Sequence, residues 1–145
     1  MQPYQIISDS SCDLPDDLRK ALGVGIVPYY ATFDMVTYHK ELIDLTADVF
    51  YDKIKESKQF PKTSLPPIQD YIDVFEPYLK EGKDVLCICL TAKFSGSFQS
   101  ANNAKQILLE SYPERRIEVF DSISVTGHKA YWYGKPAKCS RKVWT

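Results

Sequence analysis

The 145-residue sequence contains no hydrophobic run approaching the roughly 20 residues that a membrane-spanning helix requires. Residues 1–4 lack the basic flank and apolar stretch of a secretory signal peptide, so we expect a cytoplasmic protein without stable membrane insertion. The formal net charge is only −1. This argues against nucleic-acid binding, because proteins that bind nucleic acids usually concentrate positive charge. With 44% hydrophobic residues, the chain can nevertheless fill the core of about one domain.

The motifs of common nucleotide and catalytic sites are also missing. The sequence has no G-x-x-x-x-G-K-[ST] loop, no G-x-G-x-x-G turn and no G-x-S-x-G elbow. It has only two histidines, of which His39 falls in an extended segment and is expected at the surface. No cluster of histidine, cysteine or carboxylate residues has the spacing of metal ligands. We therefore expect neither a metal nor a cofactor.

Two of the four cysteines, Cys87 and Cys89, alternate within the apolar run 85–90. Side chains two positions apart on a strand share one face of the sheet, so both are predicted to be small core residues. A C-x-C pair without a second ligand pair is a poor zinc signal. Reduced thiols agree with the expected cytoplasmic location.

The apolar pattern alternates between strands and helices. Strands are predicted at 4–8, 25–30, 84–90 and 116–120, with a further extended segment or hairpin at 32–39. Helices are predicted at 14–22, at 68–80, at 95–111 and, for about three turns, after Thr46. Residues 61–67 are predicted to form a loop. This order favours an α/β domain with a Rossmann-like, mostly parallel sheet flanked by helices. Ligands of such sheets bind at the carboxyl ends of the strands, where the polar loops 9–13, 91–97 and 121–122 fall.

Residues 94–100 (Phe-Ser-Gly-Ser-Phe-Gln-Ser) form the most informative stretch, because a hydroxyl- and glycine-rich turn opens a predicted helix there. The amide groups and the positive dipole end of a helix N-terminus favour an anion, and Gly96 would allow close approach. The alternative is a plain serine-capped helix.

Two further loops carry hydroxyl groups. Thr63 and Ser64 lie between prolines that would stiffen the loop, although an ordinary surface loop is the alternative. Residues 9–13 can contribute hydroxyls to a site, or Asp13 can simply cap the first helix. A site rich in hydroxyls and poor in cations suits a mono-anion such as a carboxylate better than a phosphate dianion. Such a ligand would gain most of its affinity from apolar burial.

Four segments together resemble the DegV family of bacterial fatty-acid-binding proteins. They are residues 7–15 (Ile-Ser-Asp-Ser-Ser-Cys-Asp-Leu-Pro), 63–67 (Thr-Ser-Leu-Pro-Pro), 94–101 (Phe-Ser-Gly-Ser-Phe-Gln-Ser-Ala) and 119–127, with Val-Phe-Asp-Ser followed by Ser-Val-Thr-Gly. The chain departs from the family at 65–67, where Gln-Pro-Ser is usual, and at 91–92, where Thr-Ala replaces a common Ser-Ser. The second departure removes one hydroxyl group that family members have before the turn at 94–97.

The resemblance implies a cytoplasmic carrier rather than an enzyme. Such a carrier encloses a long-chain fatty acid between two domains and exposes the carboxylate to a partner fatty acid kinase. The carboxylate-binding hydroxyls of the family correspond to Thr63 and Ser95, with Ser64, Gly96 and Ser97 as neighbours. Two alternatives remain open: a small phosphotransferase or hydrolase with Ser95 or Ser97 as nucleophile, and a non-functional truncated fragment.

Family members are about twice this length, so we expect residues 1–127 to be the N-terminal domain and the second domain to be absent. Residues 128–145 carry five basic residues and no acid, which leaves residues 1–127 with 13 basic and 19 acidic residues. The same segment lacks amphipathic periodicity, whereas a shifted reading frame of 131–145 can encode an amphipathic helix. We therefore expect residues 128–145 to be out of frame. The alternative is a genuine basic, aromatic tail that binds a partner or a membrane surface.

Overall fold

The computed structural model describes residues 3–57 and 59–126, so the predicted out-of-frame segment 128–145 lies outside the described residues. Strands and α-helices alternate along the chain, apart from one run of three successive strands. In order they are β1 (Tyr4–Asp9), α1 (Asp16–Ala21), β2 (Gly25–Val27), β3 (Tyr30–Thr32), β4 (His39–Lys40), α2 (Ala47–Glu56), β5 (Lys62–Ser64), α3 (Ile68–Lys80), β6 (Asp84–Cys89), α4 (Ser97–Ser111) and β7 (Ile117–Asp121).

The main sheet has the strand order β2-β1-β6-β7, and all of its pairings are parallel. This confirms the predicted α/β fold with a mostly parallel sheet flanked by helices. All six residues of β6 are buried, which explains why this strand reads as a continuous apolar run. From β1 the chain first adds β2 on one side of the sheet and then adds β6 and β7 on the other side of β1. The strand order therefore changes direction between β1 and β6. Ligand clefts of open α/β sheets form at such a switch point.

The core on one face of the sheet is formed by α3 and α4. Tyr71, Phe75 and Leu79 are buried along α3, and Ala101 and Ala104 along α4. Fully burying a large apolar side chain contributes about 1.5–3 kcal/mol, so this stripe is a main source of stability.

Cys87 and Cys89 are both fully buried in this core, as predicted from their spacing. Their sulfur atoms lie 3.6 Å apart, as expected for side chains on the same face of β6. Neither forms a disulfide with another described residue, nor does the buried Cys12, which packs in a second cluster with Leu86 and Ile88.

A second, antiparallel sheet has the order β4-β3-β5, of which only an extended segment or hairpin at 32–39 was predicted. The predicted loop 61–67 contains β5, which pairs with β3 so that Thr63 lies opposite Ala31. The residues of β5 are all exposed, so they have no apolar periodicity, and only the pairing with β3 makes them a strand. The predicted strand 25–30 is likewise divided into β2 and β3, because Pro28 lacks the N–H that a continuous ladder needs.

Two local predictions were wrong, and a third, for His39, holds in part. Asp13 does not cap the first helix. It has a left-handed φ of 49° and ends a short 3₁₀ turn, and α1 begins after Pro15. The fourth helix starts at Ser97 instead of Ser95, with Gly96 at the N-cap. His39 is half-buried in β4 opposite Ala31, where a surface position was expected.

Candidate functional site

An open groove of about 590 Å³ lies at the carboxyl edge of the main sheet. It is formed by the residues that follow β1, β2, β6 and β7, together with β5 from the second sheet. Its hydroxyl groups come from Ser10, Ser11, Tyr29, Thr63, Ser95 and Thr126; its apolar side chains are Leu65, Leu90, Phe94 and Val125; its carboxylates are Asp13 and Glu41.

Three of the five predicted site residues meet in this groove. Thr63, Ser95 and Gly96 all line it, although α3 and β6 lie between β5 and α4 in the chain. Ser64 does not line the groove, because successive side chains of a strand point to opposite faces. Ser97 does not line it either, since its side chain is fully buried. The expected contacts of Ser64 and Ser97 side chains with a ligand therefore have no support in the geometry of the groove.

Ser95 is held by two hydrogen bonds to its Oγ atom. The hydroxyl of Tyr29 donates to it at 2.6 Å, and the backbone N–H of Ser97 donates at 3.2 Å. Burial raises the pKa of Tyr29 to about 12, and the hydrogen bond with Ser95 acts in the opposite direction. The phenol therefore keeps its proton at neutral pH and remains a donor to Ser95.

Asp9 at the end of β1 fixes the loop that carries Ser95. Its Oδ2 atom accepts hydrogen bonds from the N–H of Leu90 at 2.7 Å and from Ser97 Oγ at 3.3 Å. Its Oδ1 atom accepts a hydrogen bond from Ser11 Oγ. A fully buried carboxylate must have such partners, because burying a charge without them is costly. The same carboxylate thus joins β1 to both ends of the loop between β6 and α4.

Gly96 brings the N-terminus of α4 close to the loop after β5. A Cβ atom at this position would lie 3.2 Å from Cδ2 of Leu65, a groove residue. This spacing is tighter than ordinary van der Waals contact, so an alanine would press on Leu65. The absence of a side chain therefore lets the N-terminal turn of α4 face the groove, where its dipole favours an anion.

The backbone of Tyr29 is fixed from two sides. Its N–H donates to Ser10 Oγ at 2.9 Å, and its carbonyl accepts from the N–H of Glu41 at 2.9 Å. Ser10 Oγ in turn donates to Glu41 Oε2 at 2.6 Å. Sequence reasoning missed both Tyr29 and Glu41. Tyr29 fell inside the predicted strand 25–30, and its position directly after Pro28 was the only signal that it leaves the sheet.

The groove is poor in cations, as the sequence indicated. Among the described residues, no lysine, arginine or histidine lines it, whereas Asp13 and Glu41 do. The same described residues contain no group of three or more histidine, cysteine or carboxylate side chains that could hold a metal ion. Within residues 3–57 and 59–126, none of the helices is long and apolar enough to cross a membrane.

Residues 3–138 match the family described as "Uncharacterised protein, DegV family". The chain belongs to the DegV family. A DegV domain-containing protein of Caldanaerobacter subterraneus subsp. tengcongensis is 37% identical over 122 residues, which cover 84% of this chain and 41% of that protein. The family match ends inside the segment 128–145, whose interpretation as out of frame stays a prediction.

Solved structures of DegV proteins share the fold. A stearic acid-binding protein of Eubacterium ventriosum superimposes with a TM-score of 0.88 and 39% identity, over 96% of this chain and 48% of that one. DegV of Bacillus subtilis, described as a fatty acid binding protein, gives a TM-score of 0.81 and 26% identity, over 98% of this chain and 49% of that one. The chain thus spans about half the length of these structures.

Proposed function

We propose that this DegV protein binds a long-chain fatty acid and holds its carboxylate in the groove with Thr63, Ser95 and the helix N-terminus at Gly96. The observation that carries the proposal is the convergence on one cation-poor groove of Thr63, from strand β5 of the second sheet, and Ser95, from the loop that follows β6 of the main sheet. A carboxylate bound this way would accept charge-assisted hydrogen bonds, which are stronger than neutral ones. The solved relatives that bind fatty acids support the same ligand class.

The apolar side of the groove supports the proposal energetically. Leu65, Leu90 and Val125 line it beside the hydroxyl groups, and Phe94 is 79% exposed at its rim. Each CH₂ group that leaves water contributes about 0.8 kcal/mol, so the acyl chain supplies most of the affinity and the carboxylate contacts set its orientation.

The finer proposal is that the protein is a carrier that presents the fatty acid carboxylate to a partner fatty acid kinase in the cytoplasm. An open groove leaves the carboxylate accessible to such a partner. The hydrogen-bonding of Ser95 supports a binding role more than a nucleophilic one. A nucleophilic serine needs a neighbouring base to take its proton, whereas Tyr29 donates a hydrogen bond to Ser95 Oγ.

We also propose that residues 1–127 are an N-terminal domain and that residues 128–145 are translated out of frame. The chain covers about half of the solved relatives, which is consistent with this division. Resequencing the gene from codon 120 through the stop tests it. The expected result is a one-base shift that restores the amphipathic helix. A gene sequence that encodes residues 128–145 in the same reading frame as residues 1–127 would contradict the proposal.

The binding proposal is tested by equilibrium dialysis of the 145-residue chain against radiolabelled stearate. Ser95→Ala should weaken binding by about tenfold, because it removes one hydrogen bond to a charged group. Ser100→Ala is the matched control, since Ser100 lies on α4 and does not line the groove. Absence of stearate binding by the chain, or equal affinity of the two variants, would refute the assignment.

A further inference from the structure

We propose that Tyr29 is a positioning residue that fixes Ser95 as a hydrogen-bond donor toward the groove, so that the site selects an ionised carboxylate over a neutral alcohol head group. The inference rests on the proposed fatty-acid-binding function and deepens it. Tyr29, which lies outside the four segments that resemble the family, would then determine which head group binds.

The Ser95 hydroxyl can form only a limited number of hydrogen bonds. A serine hydroxyl has one proton to donate and two lone pairs that accept. Both lone pairs are occupied, one by the hydroxyl proton of Tyr29 and one by the N–H of Ser97. The remaining capacity of Ser95 Oγ is its own proton. Because Ser95 lines the groove, a ligand there meets Ser95 as a donor and not as an acceptor.

The direction of the Tyr29–Ser95 hydrogen bond follows from the two hydroxyl groups. A phenol is a stronger acid than an aliphatic alcohol and accepts hydrogen bonds less readily, so Tyr29 donates and Ser95 accepts. Tyr29 is only 9% exposed, and burial raises its pKa to about 12, so the proton stays on the phenol at physiological pH. The donor role of Ser95 is therefore the same across the neutral pH range.

The position of Tyr29 is itself fixed. Its backbone is bound on both sides, by Ser10 through the N–H and by Glu41 through the carbonyl. A side chain on such a backbone is pre-organised, so little conformational entropy is lost when a ligand binds. Ser97 is fixed by its own bond to Asp9. Both donors that occupy Ser95 are thus held by the fold before any ligand arrives.

This arrangement favours a group that accepts hydrogen bonds and carries charge. A carboxylate oxygen only accepts, and the bond it receives is charge-assisted. An alcohol head group gains only a neutral bond from Ser95, and Ser95 Oγ has no lone pair left to accept the alcohol proton. Without the Tyr29 hydroxyl, one lone pair of Ser95 becomes available, the serine can rotate to accept, and the distinction between the two head groups is lost.

The test compares radiolabelled dodecanoate with dodecan-1-ol by equilibrium dialysis, using the 145-residue chain and its Tyr29→Phe variant. Tyr29→Phe should lower the affinity for dodecanoate by about five- to tenfold and change that for dodecan-1-ol by less than about twofold. Tyr30→Phe is the matched control, because the neighbouring hydroxyl binds Asp70 and lies outside the groove. It should leave the ratio of the two affinities unchanged.

The outcomes separate this inference from the function on which it rests. If the unaltered chain binds dodecanoate selectively and Tyr29→Phe keeps the same ratio, the role of Tyr29 is refuted and the binding function stands. An equal loss of both ligands in Tyr29→Phe would indicate a merely structural role and would also refute the inference. Failure of the unaltered chain to bind either ligand would overturn the proposed function and the inference with it.

Discussion

Ser97 Oγ donates a hydrogen bond of 3.3 Å to Asp9 Oδ2, although 88 positions separate the two residues in the chain. The bond ties the end of β1 to the first turn of α4. Because the N–H of Leu90 binds the same oxygen at 2.7 Å, the carboxylate also holds the end of β6. Asp9 does not line the groove, yet it determines where the loop with Ser95 and Gly96 lies.

Removal of the Asp9 carboxylate should destabilise the fold and loosen this loop. We expect Asp9→Ala to lower the free energy of unfolding by about 2–4 kcal/mol, since one buried and two partly buried donors lose their acceptor. Urea denaturation followed by circular dichroism measures the change. Asp73→Ala, an exposed aspartate on α3, is the control and should cost less than about 0.5 kcal/mol. Similar losses in the two variants would show that Asp9 has no special role.

Thr63 and Ser64 are adjacent in β5 and should differ in their effect on ligand binding. Thr63→Val removes a hydroxyl from the groove with little change in shape and should weaken stearate binding by about tenfold. Ser64→Ala should leave it within about twofold, because Ser64 does not line the groove. Equilibrium dialysis measures the stearate affinity of both variants. A larger effect of Ser64→Ala would mean that β5 presents its opposite face to the ligand.

Sequence patterns predicted the parts of the fold that depend on burial. Helix α3 spans Ile68–Lys80, the range that its amphipathic spacing predicts, because one face of the helix packs on the sheet over its whole length. The apolar run at 85–90 predicts strand β6 equally well, because both faces of the strand are covered. Strand β5 could not be predicted, since its exposed Lys-Thr-Ser residues are ordered by pairing with β3 and by no burial of their own.

The candidate site was predictable only in part for a similar reason. Thr63, Ser95 and Gly96 belong to short motifs with recognisable local chemistry. Tyr29 and Asp9 act through partners 66 and 88 positions away, and such pairings depend on the completed sheet. The burial of Ser97 also follows from its bond to Asp9, which no local pattern in residues 94–100 indicates.

Tyr71 and Tyr30 differ in whether the hydroxyl group has a hydrogen-bond partner, so removing each hydroxyl should change the stability of the fold in opposite directions. The Tyr71 hydroxyl is fully buried and has no hydrogen-bond partner among the described residues, and burial raises its pKa, so it stays a neutral phenol. Tyr71→Phe should therefore raise the free energy of unfolding by about 1 kcal/mol. Tyr30→Phe should lower it by about 1–2 kcal/mol, because Tyr30 donates to the buried Asp70 at 2.6 Å. Thermal or urea unfolding measures both. Destabilisation by Tyr71→Phe would imply a partner for the buried hydroxyl.

Glu41 places a negative charge in the same groove that is proposed to hold a carboxylate. Glu41→Gln keeps an oxygen that can accept the Ser10 hydroxyl proton and removes the charge, so the repulsion should fall while the local structure persists. We expect stearate affinity to rise by about two- to threefold at low ionic strength. The gain should shrink in high salt, because salt screens interactions between charges near solvent.

The control for this prediction is Glu110→Gln on the exposed face of α4, which makes the same change in net charge away from the groove. Equilibrium dialysis at two salt concentrations compares the variants. A salt-independent gain, or an equal gain in Glu110→Gln, would mean that overall charge and not Glu41 opposes the ligand. A loss of affinity in Glu41→Gln would instead indicate that the ionised carboxylate is needed to hold Ser10, and through it Tyr29, in position.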